Sequence, residues 1–162
     1  MDILRHPNPA LKQRAADVDP ASDAGLPALV QAMRTAMYEA PGVGLAATQV
    51  GVQKRLIVLD VDDGLIALCN PRIVETSEET EVEDEGCLSF PGVYIPIERP
   101  AACVCEALDI EGNPVRLAAE GLFARVLQHE TDHLDGLLII DRASSDERRA
   151  ALRRYREASE AR

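Results

Sequence analysis

Hydrophobic positions fall into two rhythms along this chain. Leu26, Leu29, Val30, Met33, Ala36 and Met37 recur at helical spacing and Pro41-Gly42 ends the run, which predicts a helix with both methionines in its packed face. Before it, residues 1–25 read as irregular and extended, with prolines at 7, 9 and 20. After it comes a small-residue segment, 43–51. Leu56–Val61 and Leu65–Cys69 then read as paired strands around a turn at Asp62-Asp63-Gly64. Residues 75–85 hold seven acids in eleven positions, the pattern of a solvated edge strand or loop. Two more strand-like runs, 101–108 and 115–119, flank a turn at Glu111-Gly-Asn-Pro114. A second helix is predicted over about 121–134, stopping near Asp135-Gly136. A last one, about 145–160, begins at Ser144, whose spacing to Glu147 fits a capping box. The pattern predicts one α+β domain over 1–162: antiparallel or mixed sheets around a central helix, with a helix toward each end.

Composition narrows the class. At 162 residues the chain is long enough to bury a core without disulfides, and no window approaches the length of a membrane span. A net charge of −11 argues against general attraction to nucleic acid or anionic lipid. Met1-Asp2-Ile3-Leu4-Arg5-His6-Pro7 lacks an apolar signal-peptide core, so a cytoplasmic location with reduced cysteines is expected. Cys103 and Cys105 alternate on one strand face and read as small core residues rather than a metal clip.

The sharpest chemistry lies in His129-Glu130-Thr131-Asp132-His133, an H-E-x-x-H string. On a helix, residues four apart share a face, so both imidazoles converge on one metal ion. The glutamate then stands beside the remaining coordination position, where it handles the proton of a metal-activated water. Leu122 and Val126 continue onto His129 and His133 at +4, +3 and +4, which sets the histidines on the buried face, where unligated rings would need other partners.

A hydrolytic site of this kind takes a third protein ligand. Gly136 fits the metzincin continuation, but Ile139 stands where its third histidine would be. The remaining histidine, His6, falls in the irregular N-terminal segment and reads as surface. Glu147, Glu157 and Glu160 are formally available on the last helix, among arginines that would compete for them. Cys87, in Glu85-Gly-Cys-Leu-Ser89, is presented from a loop and offers a thiolate to a borderline or soft metal; it ranks first.

Three segments in order, Gly42-Val-Gly-Leu-Ala-Ala-Thr-Gln49, Glu85-Gly-Cys-Leu-Ser89 and Gln128-His-Glu-Thr-Asp-His133, closely resemble the signature motifs of the bacterial peptide deformylases. Ile3–Leu11 and Met37–Pro41 are similar to that family too, so the resemblance covers residues 3 to about 142. It implies a metal held by Cys87, His129 and His133, usually ferrous iron, with zinc, nickel or cobalt also able to occupy the site. It implies removal of the formyl group from formyl-methionine on new polypeptides, releasing formate after metal-bound hydroxide attacks the formyl carbon. Glu130 would be the acid/base, with Gln49 and the Leu88 N–H stabilising the oxyanion.

By the same resemblance, residues 43–44 and Gly86 offer backbone groups to an extended peptide, by strand addition. Val43, Leu122 and Val126 would line the methionine pocket, with Phe90 and Tyr94 at its rim. Some relatives carry an arginine where this chain has Tyr94. Arg125, one turn before His129, has two candidate places, the pocket mouth or solvent. The alternative reading of H-E-x-x-H is a protease cutting internal peptide bonds, and Cys87 in its setting discriminates against it. Arg149, Arg153 and Arg156 share one face of the last helix, and residues 148–162 hold six arginines against two glutamates. The simple reading is a solvated face; the other is a local contact to ribosomal RNA.

Overall fold

The computed structural model describes residues 1–160, so the last two positions of the arginine-rich tail lie outside the described residues. The expected first helix is α1, Leu26–Glu39. Short strand β1 (Gly44–Ala46) follows, then a 3-10 turn over Ala47–Val50 and strand β2 (Leu56–Leu59). Strands β3 (Ile66–Thr76), β4 (Thr80–Cys87), β5 (Phe90–Pro100), β6 (Ala102–Leu108) and β7 (Pro114–Glu120) come next. Helix α2 spans Gly121–Leu134, a short α3 Ile139–Arg142, and α4 Ser145–Glu160. Among the described residues no helix is long and apolar enough to cross a membrane.

Antiparallel ladders join β1-β2-β3-β6-β7 in that order, and β4 pairs with β5 in a separate hairpin. β2 explains why the larger sheet needs cover on both sides. Its four residues are all buried, and period-2 alternation sends them to opposite faces. Ile57 and Leu59 pack with Ala124, Val126, Leu127 and Leu134 of α2. Leu56 and Val58 pack with Leu26, Val30, Met33 and Met37 of α1. Each such side chain contributes roughly 1.5–3 kcal/mol against leaving it in water.

The acidic run is neither one strand nor one loop. It ends β3, turns at 77–79 and supplies most of β4. β5 has no counterpart in the sequence-based reading, because Pro91, Pro96 and Pro100 argue against a strand. It pairs only with β4, so the missing N–H groups fall on an edge. Its inward positions Ile95, Ile97 and Arg99 alternate with exposed Tyr94, Pro96 and Glu98. α3 and α4 cover that hairpin through Leu138, Ile139, Ile140 and Ala151, with Leu152 and Tyr155 packed alongside. The Ser144 Oγ accepts the Glu147 N–H at 3.3 Å, the cap its spacing predicted.

α2 stops at Gly136, which adopts φ 77° while its N–H returns to the His133 carbonyl at 3.1 Å. A Cβ there would stand 2.5 Å from the Lys12 carbonyl oxygen, so both conformation and space demand glycine. All four cysteines are free, and Cys103 and Cys105 are buried in the core beneath α2.

Candidate metal centre

α2 is polar yet buried on most of its circumference, so its polar side chains must find partners inside the protein. His133 Nε2 lies 3.2 Å from His129 Nε2 and 3.3 Å from Cys87 Sγ. Cys87 comes from the end of β4, next to the two-residue turn Leu88–Ser89 that leads into β5. Among the described residues these three form the one His/Cys/Asp/Glu group whose ligand atoms all lie within 4.8 Å of one another. The separations suit one ion: bonds of ~2.0–2.3 Å to a tetrahedral centre put ligand atoms about 3.3–3.8 Å apart. His6, Glu147, Glu157 and Glu160 take no part in it.

His6 departs from the surface reading. Its ring stacks on Phe90 with centroids 4.5 Å apart, and its carbonyl accepts the Tyr155 hydroxyl at 2.8 Å. Phe90 is accordingly no rim residue: it touches the cleft wall but is 0% exposed, held under His6. Leu122 departs in the opposite sense. It is 57% exposed, so the buried stripe begins at Val126, and Leu122 overhangs the opening.

Glu130 projects from the same turn of α2 as His129. Its Oε2 lies 4.0 Å from His129 Nε2, and its Oε1 is buried with no partner. Burial pushes this carboxyl up to about 7, against the pull of His129, with Glu85 adding to the rise. Gly44 makes the approach possible: a Cβ there would sit 2.6 Å from Glu130 Oε2 and 2.9 Å from Val126. Gln49 enters from the 3-10 turn with its orientation fixed. Its Oε1 accepts the Ala46 N–H at 2.9 Å, which turns Nε2 toward Ser89 Oγ at 3.1 Å and Cys87 Sγ at 3.7 Å.

Behind the histidines runs an ionic chain that the sequence reading missed. His129 Nδ1 donates to Glu85 Oε1 at 2.8 Å, leaving Nε2 free as a ligand. Arg99 grips both Glu85 oxygens, at 2.5 and 2.9 Å, and reaches Asp132 at 2.9 Å. Arg142 holds the same Asp132 through two bonds, at 3.0 and 2.7 Å. Burial alone would raise Glu85, but His129 and Arg99 outweigh it and bring the carboxyl down to about 2. Of its two candidate places Arg125 does not take the solvent one: it lines the cleft wall. It is buried, donating to Glu85 at 2.6 Å and to the Ile97 and Glu81 carbonyls at 3.0 and 2.9 Å. The available signal was Arg99 itself, a charged residue at an inward position of an alternating run, for which an ion pair is the usual reason.

A cleft of about 1040 Å³ opens onto this centre. Val43, Gly44, Gly86, Tyr94, Leu122 and Val126 line it, together with Gln49, Leu88 and Glu130. Tyr94 is 65% exposed and Val43 47%, so both stand at the opening. The cleft thus joins a metal-ligand triad, a carboxyl poised near neutrality and an oriented amide donor, the parts a hydrolysis of an amide requires.

The family model described as polypeptide deformylase matches residues 1–149. The peptide deformylase of Rhizobium meliloti (strain 1021) is 45% identical over 161 residues, covering 96% of this chain and 92% of its own. That of Natranaerobius thermophilus is 46% identical over 142 residues, with 87% and 90% covered. Among solved structures, a peptide deformylase from Legionella pneumophila superposes with TM-score 0.92 at 38% identity, over 99% of this chain and 95% of that one. Another, from Synechococcus elongatus in complex with actinonin, gives TM-score 0.90 at 42% identity, over 96% and 85%. Sequence, fold and ligand geometry agree: the chain belongs to the polypeptide deformylase family, metal-dependent hydrolases that remove N-formyl groups from peptides.

Proposed function

We propose that this deformylase acts on formyl-methionine at the head of new polypeptides, with Glu130 moving the proton and Gln49 and Leu88 meeting the oxyanion. The carrying observation is the unpartnered, buried Glu130 Oε1 beside the triad. When bound at Cys87, His129 and His133, the ion supplies a Lewis acid that polarises the formyl group and acidifies water. Glu130 accepts the proton of the attacking water and delivers it to the departing amine nitrogen, as a carboxyl with a value near 7 can do in both directions. A C–O bond forms, the C–N bond breaks, and formate leaves. Charge that develops on the former carbonyl oxygen meets the Gln49 Nε2–H and the Leu88 N–H.

An extended peptide lies along the backbones of Val43, Gly44 and Gly86, and main-chain bonding leaves its later side chains largely unread. Its methionine enters between Val43, Leu122 and Val126, with Tyr94 at the rim. A His2Cys donor set suits Fe2+, and equally Zn2+, Ni2+ or Co2+; ferrous iron is our assignment, checked by metal analysis of protein purified without oxygen. The activity belongs in the cytoplasm, where new polypeptides begin.

Glu130→Ala tests the core of this reading. Deformylation of formyl-Met-Ala is expected to fall by about 100-fold or more while metal content stays at the wild-type level. Retained activity, or cleavage of internal peptide bonds by the wild type, would defeat it.

The exposed arginine face of α4 supports a contact to ribosomal RNA. Because α4 also packs on β5, charge reversal is a cleaner test than deletion. Arg149→Glu, Arg153→Glu and Arg156→Glu together should abolish salt-dependent ribosome binding without altering turnover of formyl-Met-Ala.

A further inference from the structure

A second cleft, of about 450 Å³, lies on the far side of α2 from the metal. Arg14, Arg55, Arg72, Arg99 and Arg142 line it, against Glu98, Asp132 and Asp135. Five guanidinium groups facing three carboxylates is a local excess of positive charge in a chain whose net charge is −11.

Donor accounting shows which of that charge is free. Arg99 is consumed on every nitrogen by Glu85 and Asp132. Arg55 uses Nη1 on the Leu134 carbonyl and Asp135, at 3.1 and 2.9 Å, and its Nε is 3.9 Å from Asp17. Arg142 presents one edge, Nε and Nη2, to Asp132. Its side chain is nevertheless 47% exposed. Arg14 and Arg72 are exposed and pair with no carboxylate among the described residues. Glu106, opposite Arg72 across the β3–β6 ladder, lies instead 3.5 Å from Arg116. The floor between them is polar: Gln128 and Thr131 are each 7% exposed. Unspent N–H donors from Arg14, Arg72, the second nitrogen of Arg55 and the free edge of Arg142 therefore share one concavity.

We propose that this cleft binds a phosphate group, held by Arg14, Arg72 and Arg142 above the Gln128–Thr131 floor. A tetrahedral phosphate anion has acceptor oxygens pointing in several directions, enough for several guanidinium groups at once, which a halide or a single carboxylate lacks. The phosphate is either the free anion or one carried on an RNA strand; the chemistry of recognition is the same. The two half-paired carboxylates Glu98 and Asp135 at the lining restrict the site to one such group.

Amide NMR of the zinc-loaded, diamagnetic protein tests this at constant ionic strength set with chloride. Inorganic phosphate and a short single-stranded RNA are titrated in separate arms. Saturable shifts are expected at Arg14, Arg72, Thr131 and Arg142, and the double variant Arg14→Ala/Arg72→Ala should weaken them about tenfold or more. Saturation by inorganic phosphate identifies the free anion as sufficient; saturation by RNA alone assigns the phosphate to a strand. Shifts confined to the metal cleft at Gly44 and Gly86, no saturable shift with either probe, or equal binding by the double variant would each overturn the proposal.

Discussion

Glu85 and His129, 44 residues apart in sequence, meet at 2.8 Å through Oε1 and Nδ1. That contact fixes which imidazole nitrogen remains for the metal, and it ties α2 to the hairpin that carries Cys87. Glu85→Gln is expected to weaken metal binding by about 10–100-fold, as loss of a carboxylate behind a ligating histidine generally does. Competition against a chelator of known affinity measures it; an unchanged dissociation constant would show the contact to be incidental.

Arg99 sits between two carboxylates with 5% of its side chain exposed. Arg99→Met leaves Glu85 and Asp132 with fewer partners in a buried setting. Removing one member of a buried ionic network costs about 3–5 kcal/mol. Urea unfolding of the metal-loaded protein should register a loss of that order, while an exposed control such as Arg153→Met should register almost none.

Gly44→Ala places a methyl where Glu130 Oε2 and Val126 already stand. Overpacking of this kind costs about 1–3 kcal/mol, here concentrated on the position of the acid/base. The expected result is a fall in kcat greater than the rise in KM for formyl-Met-Ala, with metal content unchanged.

Asp141 ties α3 to the N-terminal segment. It accepts from Lys12 at 2.5 Å, the Leu138 N–H at 2.8 Å and Arg148 at 3.1 Å. Burial would raise its carboxyl, but those partners hold it below the ordinary value. A depressed carboxylate stabilises the fold above its unfolded-state pKa and loses that contribution as pH falls through the folded one. Asp141→Asn should therefore cost about 1 kcal/mol at neutral pH, by urea unfolding, and the gap from wild type should narrow as the pH is lowered below the ordinary carboxylate range.

Much of the site was legible because its chemistry is local. Two histidines one helical turn apart and a cysteine in a Glu-Gly-Cys-Leu-Ser setting announce themselves by spacing and residue type. α2 also lies where apolar periodicity and Gly136 set its limits. What stayed hidden depends on tertiary partners. β5 was invisible because three prolines speak against a strand until one knows that its second edge makes no ladder. With β5 unseen, Arg99 was not read as an inward charge, so its grip on Glu85 was missed although the alternation of Ile95, Ile97 and Arg99 carried the signal. Phe90 was placed at the rim by resemblance, and its cover comes from distant parts of the chain. His6 from the N-terminal segment and Tyr155 from α4 both pack on its ring and turn it into core.

Cys87 and His133 meet across 46 residues, one on a hairpin turn and the other on a helix laid down much later in the chain. The helix alone offers two ligands and the hairpin one. Full coordination therefore waits until the hairpin has docked on α2, and tight ion uptake reports that docking. A nascent copy of this enzyme, still partly on the ribosome, would hold its metal weakly or not at all. Catalytic competence then waits on that contact between hairpin and helix.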